Sequence, residues 1–406
     1  MRRPELLAPA GDLERLETAL RFGADAVYLG GPMLQLRAGS AGFSMEKLAL
    51  AVARAHSRGA KVYVTVNAFP TNGEIDALAD YARALRDLGA DAAIVADLGA
   101  VAAMREAAPE LDIHISTQAN CLNYRSARVY YDMGATRVVL AREMTLEQIA
   151  ELRARTPAGL ELEAFVHGAM CMAYSGRCMI SAYLTGRSAN RGACAQSCRW
   201  TYHLMEEKRP GQFFPVEEDE NGMAILSSCD LNCLDFLDQI AAAGVTSFKI
   251  EGRMKTPYYV ATVVNAYRRR IDALLAGEDD PALLDILRRE LNSASHRTYA
   301  SGFYFGDMKH HAPDDGVCRQ DCAFVAVVQD ILPGGRARIS LRNRIASGDV
   351  VEILSPHSLG LSFAARNMTD AEGRPVEAAA VPMALYELDA PEGLREGDFL
   401  RVRTGS

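Results

Sequence analysis

The sequence predicts an α/β protein: a (β/α)8 TIM-like barrel with a long cysteine-rich insertion, followed by a small C-terminal all-β barrel domain. Two observations favour this fold class. Eight short apolar segments that end in polar or glycine residues alternate with stretches whose apolar residues recur at helical spacing. From about residue 320 short alternating strands replace this pattern. A doubly wound parallel sheet gives the same alternation and is the rival architecture for the first part.

The chain has 406 residues, more than one small hydrophobic core can organise, and we divide it into three parts. We expect the barrel at 1–275 with a cysteine-rich loop at 169–233, a helical connector at 276–319 and the small β-barrel at 320–406. The net charge of −8 argues against a protein that coats nucleic acid through its overall field, although local basic clusters stay possible. No apolar run is long enough to span a bilayer, so we expect a cytoplasmic protein with no membrane partner.

The barrel strands are expected, in chain order, at LLAPAG, AVYLGG, KVYVTVN, AAIVAD, DIHISTQ, RVVLARE, LEAFVHG and SFKIEGR. Helical patterns lie between most of them, such as LERLETALRFGA after Asp12 and TLEQIAELRART, where Thr145 can cap the first turn. In the last part we expect strands at FVAVVQDI, RARISLRN, DVVEILS, MALYELDA and DFLRVR. These short strands, separated by glycine-containing turns, indicate a small β-barrel.

Polar side chains line one face of several predicted barrel strands. The other face is aliphatic, as in Val62, Val64 and Val66, and would pack on the helices. The inward set is then Tyr63, Thr65, Asn67, His114, Ser116, Gln118, Glu163, Phe165, His167, Lys249, Glu251 and Arg253. Enclosed polar groups need partners or a ligand, so two interpretations stay open. One is an internally satisfied network. The other is a small-molecule pocket at the C-terminal mouth, centred on Asn67, Gln118, His167, Glu251 and Arg253.

Six cysteines lie between the seventh strand and the helix before the eighth: Cys171, Cys178, Cys194, Cys198, Cys229 and Cys233. That connection is far longer than usual, and in this fold the loops after the strands build the active site. A metal centre is therefore the leading explanation. The wide spacing favours an iron–sulfur cluster over zinc, which usually shows short knuckles. Zinc and free or catalytic thiols remain alternatives.

One stretch, EAFVHGAMCMAYSGRCMIS at 163–181, resembles the characteristic pattern of the collagenase-like peptidase family U32. The blocks NRGACAQSCRWTY, FKIEGRMKTPYYV and HRTYASGFYFG are similar to later parts of that family, and LAPAGDLERLETALRFGADAVYLGG to its start. The likeness covers nearly the whole chain.

This resemblance implies oxygen-independent hydroxylation more than proteolysis. Members of the family hydroxylate quinone precursors, ribosomal RNA or carbon 5 of the wobble uridine of tRNA, and carry a [4Fe–4S] cluster on four cysteines, with prephenate implicated as the hydroxyl source. The chain is most similar to the tRNA group in length and C-terminal domain. By the resemblance Cys171, Cys178 and Cys194 are cluster ligands. The fourth is expected to be Cys233, with Cys229 or Cys198 as substitutes, because SSCDLNCL departs from the family pattern.

The resemblance and the strand pattern together suggest roles for the site residues. The expected catalytic residues are His167, Glu251 and Arg253, of which Arg253 would bind a small carboxylate co-substrate such as prephenate. The expected substrate-binding residues are Asn67, Gln118, Arg199 and Lys249. The expected partners are the anticodon arm of tRNA, the carboxylate co-substrate and an electron donor.

Although the chain is acidic overall, several arginines could contact RNA phosphates. The candidates are Arg187, Arg191, Arg199, the triplet Arg268 to Arg270, Arg336, Arg338, Arg342 and Arg344. Trp200 is either a stacking platform for a base or a core residue.

Hydrolytic alternatives use the same segment. His167 and Cys171 could form a nucleophile and base of a peptidase, and Glu163 with Glu251 could be paired carboxylates. The carboxylates are more simply explained as ion pairs with Lys249 and Arg253. Hydroxylation of a small aromatic or quinone precursor, or of 23S rRNA, is the remaining alternative.

Overall fold

The computed structural model describes residues 3–36, 42–171, 174, 177–200, 229–306 and 318–404, and of Arg199 only the backbone. Its first nine strands are β1 (Glu5–Pro9), β2 (Ala26–Gly30), β3 (Lys61–Val66), β4 (Ala92–Val95), β5 (Asp112–Ile115), β6 (Arg137–Val139), β7 (Glu161–Ala169), β8 (Asp230–Asn232) and β9 (Ser247–Ile250). β1 to β7 pair in parallel with their neighbours in chain order, and β9 pairs in parallel with both β7 and β1. This closure confirms the eight-stranded barrel and excludes the doubly wound sheet.

Helices follow the strands and cover the aliphatic faces. They are α1 (Leu13–Arg21), α2 (Met45–His56), α3 (Asn72–Asp76), α4 (Leu78–Asp87), α5 (Leu98–Ala107), α6 (Tyr124–Asp132), α7 (Leu146–Ala154), α8 (Ile180–Thr185), α9 (Leu237–Ala242), α10 (Pro257–Ala276) and α11 (Pro281–Asn292). Most of the longer ones begin at a side-chain cap. The predicted cap Thr145 is confirmed: its hydroxyl accepts from the Gln148 amide at 3.2 Å, which satisfies a donor of the first turn of α7.

Two short strands that the sequence pattern did not predict extend the barrel wall. β8 runs antiparallel to the end of β7, with Gly168 opposite Leu231. β10 (Tyr299–Ala300) then pairs with β8. Part of the connector therefore belongs to the barrel sheet.

The C-terminal domain is an antiparallel half-barrel. Its strands are β11 (Cys322–Leu332), β12 (Arg336–Leu341), β13 (Ile345–Ala346), β14 (Val350–Leu354), β15 (Ser362–Ala364), β16 (Thr369–Asp370), β17 (Ala378–Ala379), β18 (Leu385–Asp389) and β19 (Phe399–Arg403). Seven of them form one sheet in the order β15-β14-β19-β11-β12-β18-β16, and β13 pairs with β17. The five predicted strands are all present.

The two domains meet through α1, α10 and α11. Arg269 on α10 donates to the backbone carbonyls of Ser355, Pro356 and Ser358 at 3.1 to 3.3 Å. Arg401 of β19 makes a two-pronged ion pair with Glu290 of α11, at 2.6 and 2.9 Å. Bidentate guanidinium–carboxylate contacts of this kind fix orientation as well as distance.

Among the helices that the structure describes, none is both long and apolar enough to cross a membrane.

Candidate active site

An ion network fills the end of the barrel where the strands begin. Arg137 of β6 lies 2.6 Å from a carboxylate oxygen of Glu5, 2.6 Å from Glu161 and 3.0 Å from Glu163. Glu163 also accepts from the Lys249 ammonium at 2.8 Å. The side chains of Arg137, Glu163 and Lys249 are all buried, so each charge is compensated inside the protein.

Hydrogen bonds complete this network. The Tyr63 hydroxyl donates to Glu5 at 2.6 Å, and the Ser247 hydroxyl donates to Glu5 at 2.9 Å. Burial alone raises the pKa of Glu5, but the charge and hydrogen bonds of Arg137 outweigh burial, and the pKa is lowered. Burial raises the pKa of Tyr63, and the adjacent Glu5 carboxylate raises it further. Most polar groups in this half of the barrel are therefore satisfied internally, although among the described residues the buried Nδ1 of His114, which packs on Tyr63, has no hydrogen-bond partner.

The other half, at the carboxyl ends of the strands, is a cavity of about 70 Å³. Its lining residues are Tyr28, Leu36, Thr65, Asn67, Ile94, Ser116, Thr117, Gln118, Arg142, Phe165, Lys249, Glu251 and Arg253. Because a polar cavity of roughly 15 Å³ already admits one water, this cavity is large enough for water or for the polar head of a small ligand. A cavity is therefore present at the mouth, as the second interpretation expects, and its use as a small-molecule pocket stays a prediction.

Five of the predicted site residues line this cavity: Asn67, Gln118, Lys249, Glu251 and Arg253. Each lies on a strand or just after its carboxyl end, where successive inward positions share one side of the sheet. Their roles in binding or catalysis stay predictions.

Two of these side chains have structural contacts. Arg253 is buried and donates to the Thr65 hydroxyl at 2.8 Å and to the Leu36 carbonyl at 2.5 Å, so it ties the end of β3 to the segment after β2. Glu251 accepts from the Tyr28 hydroxyl at 3.2 Å.

His167 is the exception, and the prediction that it lies in the mouth is wrong. A bulge in β7 shifts the register, so that Phe165 pairs with Lys249 but His167 pairs with Ile250. The extra residue turns the imidazole to the outside of the barrel. There Nδ1 lies 3.3 Å from the Tyr267 hydroxyl, and the ring packs against Tyr259 and Tyr299.

The environment of His167 is dry. Its Nε2 is buried without a hydrogen-bond partner in the part of the chain that the structure describes, and burial lowers the pKa of the ring to about 3. The ring is therefore neutral near pH 7 and forms no hydrogen bond with the Cys171 thiol, which is exposed. This geometry does not provide the nucleophile–base pair of the peptidase alternative.

Gly168 follows the bulge with a φ of +108°. A Cβ atom there would come within 2.7 Å of the Glu251 carbonyl oxygen. Glycine at this position therefore lets β7 pass close to the segment that carries Glu251.

Arg142 is the main cavity residue that the sequence pattern did not single out. It follows β6 by three positions, and its guanidinium lies 3.8 Å from the centre of the Phe165 ring. Tyr28, Thr117 and Leu36 were also not predicted as site residues. A usable signal for Arg142 was a charged residue just past the carboxyl end of a barrel strand, where this fold places its functional groups.

The cysteines do not form one group. Cys171 and Cys194 are exposed and Cys178 is half-buried, whereas Cys233 is fully buried in the hydrophobic core. Burial raises the pKa of the Cys233 thiol well above its usual value. In the part of the chain that the structure describes, no three His, Cys, Asp or Glu side chains are placed to hold a metal ion. A cluster on the four predicted ligands stays a prediction, and no chemical step is derived from one.

The predicted phosphate contacts at Arg268 to Arg270 are wrong. Arg268 pairs with Asp25 and Asp272, and Arg270 pairs with Asp279. Arg269 belongs to the domain junction. These guanidiniums stabilise the fold and are not available to RNA.

Two other predicted RNA contacts are Arg191 and Trp200. Arg191 pairs with Glu74 at 2.7 Å and holds the pKa of that carboxyl at about 2. Trp200 is 44% exposed, which excludes the interpretation as a core residue. The side chain of Arg199, predicted to bind substrate, lies outside the described residues.

Comparison with known families gives two matches along the chain. Residues 11–314 match the model of peptidase family U32, and residues 320–401 match the model of its C-terminal domain. The chain belongs to peptidase family U32.

Three curated relatives illustrate its place in the family. The tRNA hydroxylation protein P of Escherichia coli (strain K12) is 34% identical over 453 aligned residues, covering 100% of this chain and 98% of the relative. The tRNA hydroxylation protein P1 of Bacillus subtilis (strain 168) is 35% identical and covers 98% of this chain and 95% of the relative. The 23S rRNA 5-hydroxycytidine C2501 synthase of E. coli is 39% identical over 69% of this chain and 41% of the relative.

The whole cavity lies within the part that matches the first family model, because its lining residues run from Tyr28 to Arg253. The two relatives named for tRNA hydroxylation also span the C-terminal half-barrel. In this family U32 member the cavity and the C-terminal domain are thus separate parts of one chain.

Proposed function

We propose that this protein is an RNA-modifying hydroxylase that acts on tRNA and forms 5-hydroxyuridine at the wobble position. The observation that carries the proposal is the similarity to proteins named for tRNA hydroxylation over 98% or more of the chain, including the C-terminal domain. The similarity to the 23S rRNA enzyme extends over 69% of the chain, which makes rRNA the second candidate substrate.

The geometry supports a binding mouth more than a hydrolytic site. Glu163, one of the two carboxylates considered for hydrolysis, is fully buried between Arg137 and Lys249 and stays an ion-pair partner. His167 faces away from the cavity. The remaining cavity groups can orient a polar ligand through hydrogen bonds and charge.

A base in a loop can reach such a mouth without leaving a duplex stack. Exposed Trp200 offers a surface on which a neighbouring base could stack. The exposed Arg344 on the half-barrel is a candidate for phosphate contacts. These contacts would hold the anticodon arm while the target base enters the mouth.

The cofactor part of the proposal is a [4Fe–4S] cluster on Cys171, Cys178 and Cys194, with Cys233 as fourth ligand and Cys229 or Cys198 as substitutes. Its support is the cysteine spacing and the family resemblance. When bound, a cluster supplies or accepts single electrons. Prephenate as the hydroxyl source and an unidentified electron donor belong to the same proposal. Because Cys233 is buried in the core, its recruitment requires a local rearrangement around β8.

Nucleoside mass spectrometry tests the substrate. Cells that lack the gene should lose 5-hydroxyuridine and its derivatives from tRNA, and the wild-type gene should restore them. An Arg83→Gln variant, altered at an exposed arginine far from the cavity lining, is the matched control and should restore them fully. Loss of a modified nucleoside from 23S rRNA with unchanged tRNA would overturn the tRNA assignment in favour of the second candidate. Unchanged RNA of both kinds would refute RNA hydroxylation.

Iron and acid-labile sulfide in protein purified without oxygen test the cofactor. About four of each per chain are expected, with a large loss in a Cys171→Ala variant. A Cys121→Ala variant is the control, because Cys121 is a buried thiol outside the cysteine-rich loop. Zinc alone, or metal-free protein with full activity, would refute the cluster.

A further inference from the structure

The charges around the cavity are unequal. Three cationic side chains line it, Arg142, Lys249 and Arg253, against one carboxylate, Glu251. The Lys249 ammonium forms an ion pair with the Glu163 carboxylate, 2.8 Å away. Among the described residues the mouth therefore keeps two arginines facing one lining carboxylate, which favours an anionic ligand.

The two arginines differ in what they already bind. Arg253 is buried and committed to Thr65 and to the Leu36 carbonyl. Arg142 donates from Nη1 to the Ala169 carbonyl at 2.8 Å. Its Nε is buried and has no hydrogen-bond partner among the described residues. In the described part of the chain Arg142 has no carboxylate within ion-pair distance, in contrast to Arg137, which has three.

Burial raises the pKa of the neighbouring Glu143 carboxyl and the charge of Arg142 opposes that rise, but Glu143 forms no ion pair with Arg142 in the described part of the chain. A partly enclosed guanidinium without a directly paired carboxylate is costly, because its desolvation is only partly repaid. Contact with the face of Phe165 repays only part of this cost. The Nε and Nη2 edge of a guanidinium is suited to a planar carboxylate, with two parallel hydrogen bonds. The free hydrogen-bonding capacity of Arg142 is on that side of the group, since Nη1 is already used.

A second unsatisfied atom belongs to another residue that lines the cavity. Asn67 donates from Nδ2 to the Ser116 hydroxyl at 3.3 Å, but its Oδ1 is buried and accepts no hydrogen bond from any residue that the structure describes. An acceptor without a donor complements a ligand hydroxyl. The cavity thus offers a vacant donor pair for a carboxylate and a vacant acceptor for a hydroxyl.

We propose that Arg142, rather than Arg253, binds the carboxylate of a small hydroxy acid in the barrel mouth, and that Asn67 accepts a hydrogen bond from its hydroxyl. This assignment deepens the proposed function, on which the identity of the ligand as a hydroxylation co-substrate rests. It also connects the ligand to the cysteine-rich loop, because the carbonyl that Arg142 holds belongs to Ala169, two residues before Cys171.

Calorimetric titration of the full-length protein tests the assignment. The probes are prephenate, 3-phenyllactate as a simple hydroxy acid, and the methyl ester of 3-phenyllactate, which has no charge. Wild-type protein should bind both acids saturably and the ester at least about tenfold more weakly. Arg142→Gln should weaken the acids about tenfold or more, and Arg142→Lys by less, because it keeps the charge and loses the planar fork.

Two controls separate binding from folding. Arg125→Gln removes an arginine that contacts Tyr124 on α6, outside the cavity, and should leave affinity unchanged. In Arg142→Gln the preference for acid over ester should disappear, which a merely loosened loop would not cause. Asn67→Ala should weaken binding of 3-phenyllactate but not of 3-phenylpropionate, which lacks the hydroxyl.

The inference is overturned if wild-type protein binds neither acid, or if Arg142→Gln keeps the preference for acid over ester. These outcomes are independent of the substrate assay. Loss of tRNA modification in gene-deleted cells together with unaltered binding by Arg142→Gln would refute the assignment of Arg142 alone. If the acids bind more tightly than the ester but the modified nucleosides of RNA are unchanged in gene-deleted cells, the proposed function alone is refuted.

Discussion

Replacing Arg137 by methionine should destabilise the barrel strongly. The Arg137 side chain is 4% exposed, and its guanidinium lies within 3.0 Å of carboxylate oxygens of Glu5, Glu161 and Glu163. Methionine fills similar space but leaves the fully buried Glu163 and the largely buried Glu5 without this counter-charge. Removing one partner of a buried ion pair costs about 3 to 5 kcal/mol, and we expect a loss of unfolding free energy in this range.

The loss should depend on pH. In the wild type Arg137 holds the pKa of Glu5 below its ordinary value, which stabilises the folded state above pH 4.5 and is lost as the pH falls further. Without Arg137 burial raises that pKa, so the folded variant takes up a proton more readily than its unfolded chain. The stability difference between wild type and variant should therefore be largest near pH 7 and shrink towards pH 4.

Urea unfolding followed by circular dichroism, repeated between pH 7 and pH 4, measures both effects. Arg83→Met is the matched control, because Arg83 pairs with Asp80 on the surface and should cost less than about 1 kcal/mol. Adding Glu5→Gln to Arg137→Met should recover part of the lost unfolding free energy, because it removes one buried carboxylate that has no counter-charge in the variant. A loss below about 1 kcal/mol for Arg137→Met, or a difference that does not change with pH, would refute this account of the network.

Three further changes test other parts of the structure. His167→Phe should reduce the loss of unfolding free energy between pH 6 and pH 4. A buried histidine with a pKa of about 3 lowers the unfolding free energy by about 1.4 kcal/mol for each pH unit below 6.5. If urea unfolding shows the same pH dependence for variant and wild type, this account of His167 is wrong. Gly168→Ala should displace Glu251 and lower 5-hydroxyuridine in complemented cells, and normal levels would show that the close approach is unimportant. Trp200→Ala should weaken tRNA binding about tenfold at unchanged melting temperature, as expected for one lost stacking contact, whereas equal affinity in filter binding would exclude stacking.

The barrel was predictable because the alternation of residues along a strand identifies both its helix-facing side and its inward side. Val62, Val64 and Val66 are buried against helices while Tyr63 and Thr65 point inward, so a period of two identifies both faces at once. The same alternation located most of the cavity. It could not show that the inward polar groups divide into a satisfied network and an open mouth, because that division depends on pairs such as Arg137 and Glu5, which lie on different strands.

His167 shows where the period fails. The bulge before it adds one residue to β7, and a single inserted residue reverses every later side chain of the strand. Nothing in LEAFVHG marks that insertion except the glycine after the histidine. Arg142 was missed for a related reason: it lies in a connection, where no periodicity constrains direction. The cysteines could be grouped by spacing, but whether their thiols converge depends on the path of the loop.

The contacts between the domains have a consequence for how long a substrate can be. Arg269 holds three carbonyls of the half-barrel, and Arg401 is bound to Glu290 through both prongs, so the distance from the half-barrel to the mouth is set by the fold. An RNA that touches both surfaces must match that distance. Selection among RNAs can then act on the separation between a stem and its loop, without any contact that reads a base.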